Sequence, residues 1–385
     1  MGDRSRKRAG GGFSLLEMTI AMALGTVVLG AAVQLYSQGV AATWTVSQRA
    51  ELQQDFRAAA NMMTKDLSLA GVGLGQGVAI QLPTSSTIPV YGCVQTGGTP
   101  CYLGAANATG ASYPKQGATP YLYGLLPGYN AGPTINSLQT DTVTVVYTDS
   151  GFYLDCYTAA VASATSVTFT AIVPTPPATS STNCTAPTGN AGAQAVNDSV
   201  TGLTSGDLVL FNFGTSQVVA EVNGSVTATS ATFSSGDALH MNQAAADPKS
   251  LASIATGTSG YATRILVITY YIDNTVSPPR LMRQVSGHAP TPIVDGVTYL
   301  KFTYDLFNDA TTLPAVACSN PGATTDGCAG ASTGLLPNQI TKINIAHMSM
   351  NSTLKGAKGG FQGLDLETSV SARDLTYTNN YPIAP

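Results

Sequence analysis

Charge is scarce in this chain. Asp, Glu, Lys and Arg make up 10% of its 385 residues, and the net charge is −4. That balance disfavours nucleic acid as a partner, because phosphates call for many clustered cations. Two local basic pairs, Arg280 with Arg283 and Lys355 with Lys358, read as solvated surface. Histidine is scarcer still. His240, His288 and His347 lie far apart, and none has the His-Glu-x-x-His spacing of a catalytic zinc site. His347 alternates with Ile343 and Ile345, which predicts a place at the edge of a core. The phosphate-cradling Gly-x-x-x-x-Gly-Lys-Ser/Thr loop is missing, and Gly257-Thr258-Ser259-Gly260 lacks the spacing of a nucleophile elbow. Asp149, Asp155, Asp207, Asp295 and Asp305 are scattered, without the spacing of a calcium loop. Tyrosines between 113 and 129 read as packing for β edges before they read as an adhesive surface. The expectation is a protein that is not an enzyme, with no catalytic residue, no metal and no cofactor.

No Cys-x-x-Cys pair occurs, so zinc, redox and c-type haem readings fall away. What is present is an even set: Cys93, Cys101, Cys156, Cys184, Cys318 and Cys328. In an oxidising compartment such a set reads as disulfides. Fifteen connectivities are open to six cysteines. The sequence-local one (93–101, 156–184, 318–328) is favoured, because each pair brackets a loop rich in Gly, Pro or Thr. Each closure is worth about 2.5–3.5 kcal/mol in the chain-entropy model.

A long apolar run opens the chain. Residues 13–33 hold nine Leu, Ile, Val or Phe side chains and a single acid, Glu17. At the rise of an α-helix they span about 31 Å, one bilayer core. Arg4, Arg6, Lys7 and Arg8 precede the run against Asp3 alone, which keeps that end cytoplasmic and exports the rest. Removing residues 1–12 takes away three net positives and leaves −7. An ordinary signal peptide would have a shorter apolar core and a cleavage site after it. Here the processing point, Gly11-Gly12, comes before the run. An acid at mid-bilayer costs about 2.5–3.5 kcal/mol, so Glu17 marks function by default. Cleavage after Gly12 would give Phe13 a free amine one helical turn from Glu17. The amine of a neighbouring copy could then neutralise the carboxylate, at about 4 kcal/mol for a 4 Å pair at an effective dielectric near 20.

The Gly12/Phe13 junction, the FSLLEMTIAMAL run and Glu17 together resemble the class III signal of type IV prepilins. The resemblance implies a prepilin peptidase that cuts after Gly12 and N-methylates Phe13. It also implies subunit docking through Phe13 and Glu17. One departure is visible: many major pilins carry a proline where this chain has Gln34, and Gly25, Gly30 and Gly39 are its softer points instead. Further along, the chain is similar to PilW-like minor pilins in several stretches. These are ELQQDFRAAANMMTKDLSLAG (51–71), SGDLVLFNFGTSQVVAEV (205–222), ITYYIDN with RLMRQV and PIVDGVTYLKFTYD, and the closing SARDL (371–375). J-type pseudopilins of type II secretion share the later pattern.

That resemblance implies an α+β, pilin-like fold: a long N-terminal helix, half transmembrane and half amphipathic, packed on a large antiparallel β-sheet head. Residues 1–12 are the expected leader, 13–34 the transmembrane or filament-core helix, and 35–71 its amphipathic continuation. The β-rich first part of the head would occupy 72–250, with low-complexity insertions, and a C-terminal antiparallel part 251–385. Leu52, Phe56, Ala59, Met63 and Leu67 form the buried stripe, with Asp66 and other polar residues mostly off it and Gly71 as the stop. Strands are predicted at 142–148, 166–172, 207–213, 217–222, 262–272, 280–285, 297–305, 340–350 and 364–375, and 311–336 reads as an insertion. The implied role is a minor pilin that joins other minor pilins and the major pilin to prime assembly at or near the tip, with a tip adhesin as a further partner. Its localisation would be the inner membrane, N-terminus cytoplasmic and head periplasmic, then the pilus on the cell surface. The alternatives are a J-type pseudopilin and an adhesive or DNA-uptake pilin.

Overall fold

The computed structural model describes residues 14–74, 79–84, 87–92, 110–116, 118–149, 151, 154–172, 195–214, 216–244, 247–307, 315–321, 335–356, 360–372 and 375. Its first element is the helix α1 (Leu15–Ser68), 54 residues long, or about 81 Å. α1 runs unbroken through Gly25, Gly30 and Gly39, which have open space around them. From Leu15 to Val40 every residue is exposed. Hydroxyls on this stretch bond back to the helix itself, as Thr19 to the Leu16 carbonyl (2.9 Å) and Thr26 to that of Ala23 (2.8 Å). Such bonds leave fewer polar groups in need of water.

The second half of α1 is buried along the predicted stripe: Leu52, Phe56, Ala59, Met63 and Leu67 all lie in the core. Full burial of each of the larger ones is worth about 1.5–3 kcal/mol. The helix ends at Ser68, three residues before the predicted stop. Gly71 is nonetheless needed, for it adopts a left-handed φ of 82°. Its N–H donates to the Val146 carbonyl at 2.9 Å. A Cβ on Gly124 would come within 2.7 Å of the Gly71 Cα, so two glycines let the chain leave the helix flush against the sheet.

The head is built from antiparallel pairs. Along the chain its main strands are β1 (Leu125–Gly128), β2 (Thr142–Thr148), β3 (Tyr157–Ser163), β4 (Ser166–Ala171), β5 (Leu208–Phe213), β6 (Ser216–Glu221) and β7 (Ser230–Thr232). They continue with β8 (Ser259–Asp273), β9 (Arg280–Val285), β10 (Thr291–Asp295), β11 (Val297–Leu306), β12 (Ala315–Cys318), β13 (Ile340–Asn351) and β14 (Gly363–Ser371). The spine of the ten-stranded sheet is β8, which is 15 residues long. It pairs with β5 through Tyr261–Ile265 and with β9 through Ile268–Asp273, while β2 lies along its other edge. A four-stranded sheet runs β12-β11-β13-β14.

Two hydrophobic cores meet at β5. Leu208 and Leu210 face the core that receives α1, whereas Val209, Phe211 and Phe213 face a second one with Tyr157 and Phe169. Burial on both faces explains why β5 reads as a nearly continuous apolar run. The first core also takes side chains from β11, β13 and Leu375, so it draws on both ends of the head sequence.

Several local expectations are corrected. The last strand ends at Ser371, not at Leu375, where Ala372 turns to bond the Thr341 carbonyl (3.1 Å). Inside the expected insertion, Ala315–Cys318 is a strand on the edge of β11. Unpredicted strands include β1, β3, β10 and Thr119–Tyr123. Short length and proline hid several of them, as in LLPG and TPIVD.

The largest correction concerns Asp66, expected on the polar side of α1. It is 5% exposed and accepts hydrogen bonds from Tyr270 Oη (2.6 Å), Tyr147 Oη (3.1 Å) and Arg283 Nε (2.8 Å). Arg283 therefore does not belong to a solvated basic patch. Its neighbour Arg280 pairs with Asp295 at 2.9 Å. Burial works against the Arg283 cation, yet the bond to Asp66 outweighs it and holds the guanidinium above its usual value. Burial and the facing carboxylate push both phenols up. Removing one partner of such a pair strands the other charge. Asp66→Ala is expected to lower stability by about 3–5 kcal/mol in urea melts of the full chain in detergent, and Asp66→Ala with Arg283→Met by less than the sum of the two single changes.

Candidate functional site

The first described residues form the start of α1, and the sequence folds there as a capping box. Ser14 is the N-cap: its Oγ accepts the Glu17 N–H at 3.2 Å, while Glu17 Oε2 accepts the Ser14 N–H at 3.0 Å. The Ser-x-x-Glu spacing announces this motif, and sequence reasoning directed at Glu17 alone missed it. The carboxylate thus lies at the positive end of the helix dipole, where an anion is favoured. Gly12 and Phe13 lie outside the described residues. The helix that Ser14 opens is long and apolar enough to cross a membrane, and its most apolar 18-residue stretch has no residue buried in the head.

Residues 7–33 match the family described as prokaryotic N-terminal methylation motif. This is a type IV pilin-like N-terminus. The class III signal it carries implies processing by prepilin peptidase and association with pilus components. It also fits a membrane-anchored protein, pilin- or pseudopilin-like, and points to a structural role. No curated protein and no solved structure matches the chain.

The head's polar clusters are structural in their geometry. Arg264 binds the Asp149 carboxylate through Nε (2.7 Å) and Nη2, and its Nη1 donates to the Gly202 carbonyl at 2.9 Å. Asp207 stands beside it, 2.8 Å from His288 Nε2. Burial pushes Asp207 up, but His288, the Thr204 N–H and Arg264 together hold its carboxyl below the usual range. Asp305 pairs with Lys342 at 3.7 Å. Four of the five aspartates singled out in the sequence (Asp149, Asp207, Asp295 and Asp305) thus already face cations.

His347 departs from expectation. A β-bulge between Ile345 and Met348 shifts the alternation by one residue, so Ile343, Ile345, Met348 and Met350 point inward and His347 points out. There it stacks edge-on against Tyr299 and meets Ser349 Oγ at 2.8 Å. Asp365 approaches its Nε2 (3.5 Å) and Glu367 its Nδ1 (3.9 Å), from opposite sides of the ring, so the three do not converge on one ion. Among the described residues no three His, Cys, Asp or Glu side chains could hold a metal. His240 lies elsewhere, its Nδ1 3.4 Å from the Ile88 carbonyl.

Tyr113 and Tyr123 are buried, so of the tyrosines near 113–129 it is Tyr129 that stands exposed, under the Lys301 ammonium. Cys156 and Cys318 are buried and neither is a free thiol. Cys93, Cys101, Cys184 and Cys328 lie outside the described residues, as does Lys358.

Two buried acids, Glu221 and Asp237, face each other, and neither pairs with a cation among the described residues. Glu221, at the end of β6, is 4% exposed and faces Asp237, with the Leu239 N–H donating to its Oε2 at 2.9 Å. Asp237 accepts the Met241 and Asn242 N–H groups at 2.6 and 3.1 Å. Burial pushes Glu221 up to about 8, against the Leu239 N–H, and the Asp237 carboxylate adds to the rise. A carboxyl raised above its unfolded value binds its proton more tightly when folded. Stability should therefore fall as pH rises from about 4.5 to 8, by at most about 1.4 kcal/mol per pH unit from this group. Glu221→Gln is expected to flatten that slope in urea melts taken across the window. A slope unchanged by the substitution would assign it elsewhere.

Proposed function

We propose that this chain is a PilW-like minor pilin, a structural subunit that joins other minor pilins and the major pilin to prime type IV pilus assembly at or near the tip. The observation that carries the reading is the methylation motif at residues 7–33, which runs into a first half of α1 that the head leaves uncovered. In this reading residues 1–12 are the leader, Gly12/Phe13 the peptidase junction and the Phe13 amine the methylated group. Glu17 docks against the amine of a neighbour. Its capping-box bond to Ser14 uses Oε2. A carboxylate has two oxygens and about four lone-pair sites, so acceptor capacity remains for that amine. The helix crosses the inner membrane before assembly, with the head in the periplasm, and Cys93–Cys101, Cys156–Cys184 and Cys318–Cys328 close three loops of the head.

Intact-mass analysis of the membrane form should show residues 1–12 lost, one methyl gained and six hydrogens missing from three cystines. Glu17→Ala should reach the membrane but enter filaments far less than wild type in sheared-pilus fractions. Equal incorporation would remove the docking role. Deleting the gene should abolish surface pili and leave type II secretion intact. The reverse phenotype would make the chain a J-type pseudopilin.

A further inference from the structure

Past Glu17, α1 carries no charged side chain until Arg49, and the next acid, Glu51, comes only after it. Residues 18–48 are therefore 31 uncharged residues in a row, or about 46 Å of helix. A hydrocarbon core needs only about 20 residues, whereas a bilayer with its headgroups is about 40–45 Å thick. The uncharged stretch thus matches the whole bilayer and not its core alone. Trp44, which is 48% exposed, lies 27 residues beyond Glu17, about 40 Å along the axis. A tilt of about 20° removes only about 2 Å of that. With the capped end of α1 at one face, Trp44 falls among the headgroups of the other, where tryptophan is enriched.

The head reaches down to the same level. Gln48 is the first buried residue of α1, and Ala41 and Thr45 are the first partly covered ones. Gln48 Nε2 donates to the Leu354 and Lys355 carbonyls at 3.4 and 3.5 Å, and Arg49 Nε donates to Gln362 Oε1 at 3.1 Å. All three acceptors belong to the turn between β13 and β14. Its described ends, 352–356 and 360–362, are tied together by Ser352 N–H to the Gln362 carbonyl (2.8 Å) and Gly356 N–H to that of Gly360 (2.7 Å). Two large apolar side chains of this bonded turn are nonetheless left outside every core: Leu354 is 57% and Phe361 53% exposed. Lys355 is exposed between them in sequence, its Nζ 5.8 Å from the centre of the Phe361 ring.

Two segments far apart in the chain therefore place an aromatic ring, two apolar tips and two cations at one depth. A partner protein would need these groups on one face. A lipid surface meets every side of the molecule at a given depth, so a shared level is enough.

We propose that the turn between β13 and β14 is a foot that seats the head in the headgroup layer of the bilayer that α1 crosses. Leu354 and Phe361 enter the boundary between headgroups and acyl chains, while Lys355 and Arg49 keep their charges at the lipid phosphates. The inference rests on the membrane-anchored reading of α1 and goes beyond it, since a tethered head could equally float clear of the surface. Leaving the bilayer for a filament then means withdrawing this turn as well as the helix.

Trp44 is the chain's single tryptophan, so its fluorescence reports this level directly. The full chain is reconstituted in vesicles of three parts phosphatidylethanolamine to one part phosphatidylglycerol, with a nitroxide lipid labelled either near the headgroup or at the bilayer centre. Trp44 should be quenched at least twofold more by the shallow nitroxide. Trp44→Phe with Phe361→Trp moves the reporter to the turn, where the same preference is expected, together with protection from iodide in the water. Lys355→Glu in that background should lower the shallow quenching at least twofold, and no change would remove the phosphate contact. A turn reporter open to iodide and indifferent to both nitroxides overturns the foot, while shallow quenching of Trp44 keeps the membrane reading intact. Quenching of neither reporter by either lipid overturns the membrane reading, and the foot with it. Protection at the turn that grows with protein density at fixed lipid composition would make the occupant a second copy and overturn the lipid seat.

Discussion

One carboxylate fixes the helix to the head. Asp66 lies near the end of α1 and gathers Arg283 from β9, Tyr270 from β8 and Tyr147 from β2. These are three strands of one sheet, adjacent through β8. Apolar packing along Leu52, Phe56 and Met63 would tolerate small slides or rotations of the helix, since dispersion is non-directional. Four directed polar groups do not. Moving α1 by one residue would carry Asp66 about 100° round the axis and leave a half-buried guanidinium facing hydrocarbon. The network therefore sets the rotation of α1 about its axis, and with it the direction in which the exposed apolar half points.

That direction matters because the two halves of α1 live by opposite rules. The first half gains nothing from the head and needs lipid or neighbouring subunits to cover it. The second half is folded protein. A bundle of such helices can present a consistent surface to its neighbours only if every head holds its helix at the same angle. The glycine pair 71 and 124 serves the same end, since it lets the chain turn from helix to sheet without a spacer. The Asp66 network and the glycine pair thus tie the helix directly to the head.

Much of this was legible in the sequence. The apolar run, the stripe from Leu52 to Leu67 and strands such as 142–148 and 280–285 follow directly from hydrophobic periodicity. The single acid of the apolar run, Glu17, was also visible, although its local partner Ser14 was passed over. What stayed hidden was long-range or irregular. Asp66 reads as a surface residue of an amphipathic helix, because its partners lie 81 to 217 positions away. His347 was assigned to the inner face by strict alternation, and a single bulge reversed it. Strands such as β1 and β10 are too short, or too interrupted by proline, to rise above the loops around them.

Three acids in apolar surroundings show how one kind of group is put to different uses. Glu17 stays at the exposed end of a helix, where the dipole and Ser14 support its charge and one oxygen remains for an outside donor. Asp66 is buried, but with a guanidinium and two phenols around it, so its charge becomes a structural bond. Glu221 is buried beside another carboxyl, and burial together with that neighbour pushes its pKa up. Burial alone does not decide among these outcomes, for Asp66 and Glu221 are almost equally hidden. The deciding variable is the sign of the nearest charged group.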